Sequence, residues 1–312
     1  MKRVFITGSN GLLGQKLVEL LSNSPNYLLL CTSRQPASVF SSDQLQYRQL
    51  DTTRRNDVET AVGEFEPEVI VNAAAMTNVD ACETEREKAW RSNVTGVENL
   101  LHAAKLSGAR LVHISTDYVF DGKNGPYSET DRPNPICYYG RTKLASENLI
   151  TTSGLPATII RTMVLYGIAR NVKANFALWL LANLKAEKPV KVVNDQIGNP
   201  TIAEDLAYGI LKVIELGRLG LYNIAGPDLV SRYDFALALA KIFGFNKKLI
   251  TPVKTSTMKQ PAPRPLKSGL ITLKAQTDLD IRLAGVEQGA TIFRNQVLSV
   301  LDHSAKPAGS TT

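Results

Sequence analysis

In the stretch PNPICYYGRTK, residues 133–143, two adjacent tyrosines precede a lysine by five and four positions. On a helix, residues three or four apart share a face, so Tyr139 and Lys143 can meet while Tyr138 points about a third of a turn away. Such a pair suits ketone reduction, which needs a hydride on carbon and a proton on oxygen. A phenol with an ordinary pKa near ~10 is a sluggish acid and base at neutral pH, and a neighbouring ammonium favours the phenolate and lowers that pKa. Lys143 can also bond the ribose hydroxyls of a nicotinamide cofactor. The segment HISTDYVFDG adds Ser115 and Thr116 at the end of an apolar run. Carboxyl ends of parallel strands open onto a ligand crevice, so Thr116 is expected where a nicotinamide lies, holding the carbonyl oxygen by a hydrogen bond. The expected catalytic residues are Thr116, Tyr139 and Lys143. A Tyr-x-x-x-Lys pair alone also describes many solvated helix faces, and the rest of the chain must decide.

The first apolar run leads into FITGSNGLLGQ, which places Gly8, Gly11 and Gly14 between a strand and a helix, with Asn10, Leu12 and Leu13 among them. Glycines there allow a tight turn and close approach of a pyrophosphate, and the helix N-terminus supplies amide donors. About twenty residues on, an acid would bond a ribose 2′-hydroxyl. This chain has TSRQ, with Ser33 and Arg34 offering a hydroxyl and a guanidinium to a 2′-phosphate, which favours NADPH and leaves NADH as the alternative. QLDTT brings Asp51 and Thr52 toward the adenine, and VNAAA brings Asn72, Ala73, Ala74 and Ala75 toward the adenosine ribose.

The elements that must position these residues alternate. RVFITG, YLLLCTS, YRQLD, EVIVNAAA, ARLVHIST and PATIIRT read as strands. Helical patterns fall at about 12–21, 58–65, across 80–107, and around Tyr139. Continuous Val/Ile/Leu runs are strands buried on both faces, so the expected fold is α/β, a Rossmann-type doubly wound parallel sheet. The expected division is a dinucleotide-binding domain over 1–165, with later segments around 196–226 returning to it. A smaller C-terminal α/β substrate lobe follows over 166–302, and a disordered tail over 303–312.

Composition narrows the function classes. A chain of 312 residues with 44% hydrophobic and 21% charged residues is ordinary for a globular enzyme. Cys31, Cys82 and Cys137 lie far apart, as do His102, His113 and His303, so neither a disulfide frame nor a metal site is expected. The N-terminus lacks the pattern of a signal peptide and no apolar stretch is long enough to span a bilayer, so the expectation is a cytoplasmic protein without a membrane partner. The net charge of +7 is dispersed among acids without an aromatic-studded basic run, which argues against nucleic acid and for small anionic ligands.

Taken together, TGSNGLLG, NAAA, STDYVFDG and YYGRTK resemble the extended short-chain dehydrogenase/reductases, and within them the dTDP-4-dehydrorhamnose reductases. VDACE, NVTGVENL, DQIGNPT, GLYNIAG, SRYDFA and RPLKSGL extend the resemblance over nearly the whole chain. It implies NADPH-dependent reduction of the 4-keto group of a dTDP-linked 6-deoxy sugar by Thr116, Tyr139 and Lys143, admits a homodimer, and implies a nucleotide-sugar pocket reached by Thr77, Val79, Val164 and Arg264. The planar fork of Arg264 suits a diphosphate. One departure stands out: bacterial members commonly carry R-T-S-W after the sixth strand, whereas this chain reads RTMVL, with Val164 in place of the Trp. Related sugar dehydratases place Asp-Glu after the strand-five Thr, and here Asp117 is followed by Tyr118. The β subunit of methionine adenosyltransferase, a regulatory NADP-binding relative, is the non-enzymatic alternative.

Overall fold

The computed structural model describes the backbone of residues 1–305 and the side chains of residues 1–300. The first half runs β1 (Lys2–Thr7), α1 (Leu12–Ser22), β2 (Tyr27–Ser33), β3 (Leu45–Gln49), α2 (Arg55–Phe65), β4 (Val69–Asn72), α3 (Val79–Thr84), α4 (Arg86–Trp90), α5 (Gly96–Ser107), β5 (Arg110–Thr116), α6 (Tyr138–Thr152) and β6 (Ala157–Thr162). The second half runs β7 (Leu165–Tyr166), α7 (Phe176–Lys185), β8 (Val190–Val193), β9 (Ile197–Gly198), β10 (Thr201–Ile202), α8 (Ala203–Leu216), β11 (Gly220–Asn223), β12 (Val230–Ser231), α9 (Arg232–Phe243), β13 (Ile250–Val253), α10 (Leu273–Leu279) and α11 (Val286–Ala305).

A seven-stranded sheet in the order β11-β6-β5-β4-β1-β2-β3, parallel throughout, forms the frame. This is the dinucleotide-fold order with one added edge strand. Alternation along β1 explains the unbroken apolar run: Val4 and Ile6 enter a core with Leu17, Leu206 and Ile210, while Phe5 enters the opposite core with Val58, Val62 and Leu100. Both faces are covered, so neither parity of side chain is free to be polar. β1 and β4 reverse the winding direction between them, and the glycine turn and the end of β5 therefore open on one crevice.

The helical stretch expected across 80–107 is broken. It kinks at Glu85 and passes through a π turn at Arg91–Thr95 before α5 begins. The π turn buries Asn93, whose amide nitrogen donates to the Met76 carbonyl and to Thr142 Oγ1, and whose oxygen accepts from the Met76 amide. Tertiary hydrogen bonds thus override the helical pattern. β3 spans Leu45–Gln49 and leaves Asp51 in the following turn.

In the second half, α8 lies on α1, β11 pairs with β6, and α10 packs on α8 with Ala275 and Leu279 in the same core. The return to the sheet therefore includes 273–279 beyond the expected 196–226. Within that range, β9 pairs with β12 and β10 with β7, outside the sheet. α7, α9, α11 and the β8–β13 pair enclose a separate core around Leu180, Phe235 and Phe293. α11 runs on through Ala305, three residues into the stretch expected as a tail, and residues 306–312 lie outside the described residues. Among the described residues no helix is long and apolar enough to cross a membrane, and no cluster of His, Cys, Asp and Glu could hold a metal.

Candidate active site

Two glycines shape the nucleotide end. Gly8 has φ +67°, and a Cβ on it would lie 2.8 Å from the Ala73 carbonyl carbon. A Cβ on Gly14 would lie 2.2 Å from the Gly8 carbonyl oxygen, because α1 starts pressed against the turn. At Gly11 the same test gives 3.2 Å, a milder constraint. Gly11 caps α1 without a side-chain hydrogen bond, which leaves the first-turn amides to an anion. From this turn a groove of about 450 Å³ runs past Asn10, Thr32, Ser33, Arg34, Asp51, Thr52 and Ala73 to Ala75. Arg34 is exposed and makes no ion pair among the described residues. Ser33 Oγ lies 2.8 Å from the Tyr47 hydroxyl, which itself donates to the Gln35 carbonyl.

Three expected groove residues sit elsewhere. Asn72 is turned inward, where its oxygen accepts from Thr7 Oγ1 at 2.6 Å and from the Ala74 amide. Leu12 and Leu13 occupy the first turn of α1, and Leu13 belongs to the core. Conversely, the strap Asn171–Lys173 from the second half lines the groove and brings a second cation, Lys173. Nothing in its local sequence pointed there, since the contact depends on tertiary closure.

At the chemical end, α6 begins where Pro133 and Pro135 give way and Cys137 Sγ accepts from the Gly140 amide. Tyr139, Lys143 and Thr116 are all buried, whereas Tyr138 is half-buried beneath the Arg86 guanidinium. The two tyrosines thus differ in burial, as their different positions on the helix lead one to expect. The Lys143 ammonium donates to the Ile114 carbonyl at 2.6 Å and sits 3.1 Å from His113 Nε2. Burial lowers its pKa to about 8, against the opposing charge of Glu147. Burial also raises the Tyr139 phenol well above its ordinary value, with hydrogen bonding to Thr116 pulling the other way. The downward shift expected from Lys143 is therefore absent: desolvation dominates, and the lysine is engaged by β5 instead.

His113, which its scattered position in sequence gave no reason to select, packs against that lysine and ties β5 to α6 through Ser146. The Asn72 amide nitrogen lies 3.1 Å from His113 Nδ1, and Ser146 Oγ lies 3.2 Å from Nε2. With the Asn72 oxygen occupied by donors, its amide donates to Nδ1 and the ring proton belongs on Nε2. Burial and the nearby Lys143 charge push the His113 pKa well down, so the ring is neutral. One layer below, Glu147 accepts from Ser115 Oγ and pairs with Arg161 through two bonds of 3.0 and 2.7 Å.

On the substrate side, Val164 has φ +48° and lines a narrow cleft with Asp117, Tyr118 and Arg232. Arg232, at the head of α9, was not singled out by sequence because SRYDFA reads as an ordinary helix start. Thr77 is exposed in the turn before α3, and Val79 packs near Cys82 and Tyr139. The fork of Arg264, expected to face a diphosphate, instead pairs with Asp80 at 2.8 Å and donates to the Ala262 carbonyl.

Residues 1–298 match the family model described as RmlD substrate binding domain. The chain belongs to this family. Among its relatives, a dTDP-4-dehydrorhamnose reductase of Aggregatibacter actinomycetemcomitans is 36% identical over 294 residues, 90% of this chain and 95% of the relative. The crystal structure of a dTDP-4-dehydrorhamnose reductase from Clostridium acetobutylicum superposes with a TM-score of 0.85 at 34% identity, over 95% of this chain and 99% of that one. That of the Bacillus anthracis reductase in complex with NADP superposes with a TM-score of 0.82 at 31% identity, over 95% and 100%. The RmlD family assignment thus spans both halves of the molecule, and the buried Thr116–Tyr139–Lys143 group lies within the matched region.

Proposed function

We propose that this chain is a dTDP-4-dehydrorhamnose reductase, reducing the 4-keto group of a dTDP-linked 6-deoxy sugar with NADPH in dTDP-L-rhamnose synthesis. The observation that carries the reading is the burial of Thr116, Tyr139 and Lys143 beside the carboxyl end of β5, next in the sheet to the β4 and β1 ends from which the groove is lined. A dinucleotide fits the groove on this chain's own chemistry: backbone at Gly8 and Gly14 that leaves no room for a Cβ, uncapped amides on α1, and unpaired Arg34 with Lys173 for a 2′-phosphate. When bound, NADPH supplies the hydride.

The protein's residues do the rest. Thr116 holds the ketone oxygen, and Tyr139 gives it a proton as charge develops there. The raised pKa of Tyr139 keeps the phenol protonated and able to act as the acid. Lys143, fixed by the Ile114 carbonyl, presents its ammonium to the cofactor ribose and compensates the phenolate left after proton transfer. Burial of all three excludes water and strengthens each of these interactions. In this reading residues 1–165 with 203–223 and 273–279 carry the cofactor, and the remainder of 166–302 carries the nucleotide-sugar. Three unpaired cysteines suit a reducing, cytoplasmic setting.

The sugar is set by the cleft at Val164, Tyr118 and Arg232. A screen of NADPH oxidation against nucleotide-linked 4-keto sugars tests the assignment. The dTDP-6-deoxy sugar is expected to turn over fastest, and a clear preference for a different nucleotide base would overturn it.

A further inference from the structure

Thr116 has a single hydroxyl proton, and in this structure it is directed at its neighbour in sequence. Thr116 Oγ1 donates to Asp117 Oδ1 at 3.0 Å, and the other oxygen of that carboxyl accepts the Ser268 hydroxyl at 2.6 Å. The Tyr118 amide, at 3.3 Å, is a donor toward the Thr116 oxygen, and the protonated Tyr139 phenol beside it is a donor as well. A hydroxyl so arranged is an acceptor only. A ketone oxygen is also an acceptor only, so the two cannot bond, whereas the alcohol product carries an O–H that can donate to Thr116.

We propose that Asp117 is a positioning residue that sets the direction of the Thr116 hydrogen bond: as a carboxylate it makes Thr116 an acceptor for the alcohol, and as a carboxylic acid it donates to Thr116 and frees the threonine O–H for the ketone. The inference rests on the proposed role of Thr116 at the carbonyl. Asp117 is 3% exposed, and burial raises its pKa to about 6, opposed by its bonds to Ser268 and Thr116 and by the Arg232 charge. The titratable groups facing it are Arg232 on α9, Tyr139 and Cys137 on α6, and Tyr118 beside it. The phenols and the thiol are all shifted upward and stay neutral near pH 6, and Arg232 stays charged. Asp117 is thus the member of the group that changes state there.

The sign follows from the raised pKa. The acid form, competent for ketone, predominates below about pH 6 and is lost as pH rises through that value. In wild-type protein, kcat/KM for the 4-keto sugar should fall about tenfold from well below pH 6 to well above it, the size of one hydrogen bond to a neutral partner. KM for the alcohol in the reverse reaction should fall over the same range. In Asp117→Asn the amide oxygen takes Ser268 and the amide nitrogen donates to Thr116 at every pH, so both dependences should vanish, whatever the height of the plateau. Ser268→Ala removes a bond that favours the carboxylate and should move the limb to higher pH, which keeps the test available if Asp117→Asn does not fold. A flat wild-type profile, or a limb retained unchanged in Asp117→Asn and in Ser268→Ala, would overturn the role of Asp117 while leaving the reductase reading intact. Absence of turnover at every pH would instead refute the reading of the site itself.

Discussion

At Tyr139 and Tyr138 two identical side chains, one peptide bond apart, have different surroundings. Tyr139 is buried against the Tyr118 ring with centroids 5.5 Å apart and meets Thr116, while Tyr138 is half-buried under Arg86 at the margin of the same cluster. Tyr139→Phe should therefore lower kcat by ~10²- to 10⁴-fold with NADPH affinity nearly unchanged, because the lost hydroxyl acts on the substrate oxygen. Tyr138→Phe should retain most of the rate. Steady-state kinetics with a parallel NADPH titration decides, and the opposite ranking would refute the assignment. Arg34 belongs to the same scale. Its guanidinium is exposed beside the groove, so Arg34→Ala should weaken NADPH by about 1.5 to 3 kcal/mol, roughly ten- to a hundredfold, and NADH far less. Equal losses in the two titrations would remove the 2′-phosphate role. These residues were legible because each role follows from side-chain type and spacing. His113, Arg232 and Lys173 were not, since their roles come from partners 30 or more residues away, as with His113 and Ser146 at a separation of 33.

The elements that hold the site differ in how openly the sequence declares them. Strands of the parallel sheet are unbroken apolar runs because both faces are covered, and all seven, with GLYNIAG as the last, could be placed within a few residues of their observed bounds. The π turn at Arg91–Thr95 could not be read, because it is fixed by Asn93 bonding to Met76 and Thr142 and no local pattern encodes those partners. The glycine turn gives the sharpest prediction here. Gly14→Ala forces a methyl to within 2.2 Å of backbone and should destabilise the protein by about 1 to 3 kcal/mol while abolishing NADPH binding. Gly11→Ala, at 3.2 Å, should cost less on both counts. Thermal unfolding and cofactor titration of the two variants check the order, and a Gly14→Ala protein with intact Tm and affinity would contradict the close-packed turn.

Across the whole molecule, function depends on joining two halves. A buried chain of hydrogen bonds runs from Thr7 on β1 through Asn72 on β4 and His113 on β5 to Ser146 on α6, which donates to the Lys143 carbonyl, so the strands that line the cofactor groove also hold the turn of helix that carries the lysine. The second half contributes Arg232 and Ser268 around Asp117, and the strap at Lys173 over the groove. That interleaving was only partly visible in the sequence: α8 and β11 could be expected to return to the sheet, but α10 could not, because its seven residues carry too short a pattern. The central claim is that this joined site transfers a hydride to a nucleotide-linked ketone. The most direct test incubates the purified protein with NADPH and dTDP-4-dehydro-L-rhamnose and follows both the reduced-cofactor absorbance and the sugar nucleotide on chromatography. Loss of absorbance matched mole for mole by dTDP-L-rhamnose is the predicted result, and tight NADPH binding with no oxidation would contradict it and favour a regulatory protein.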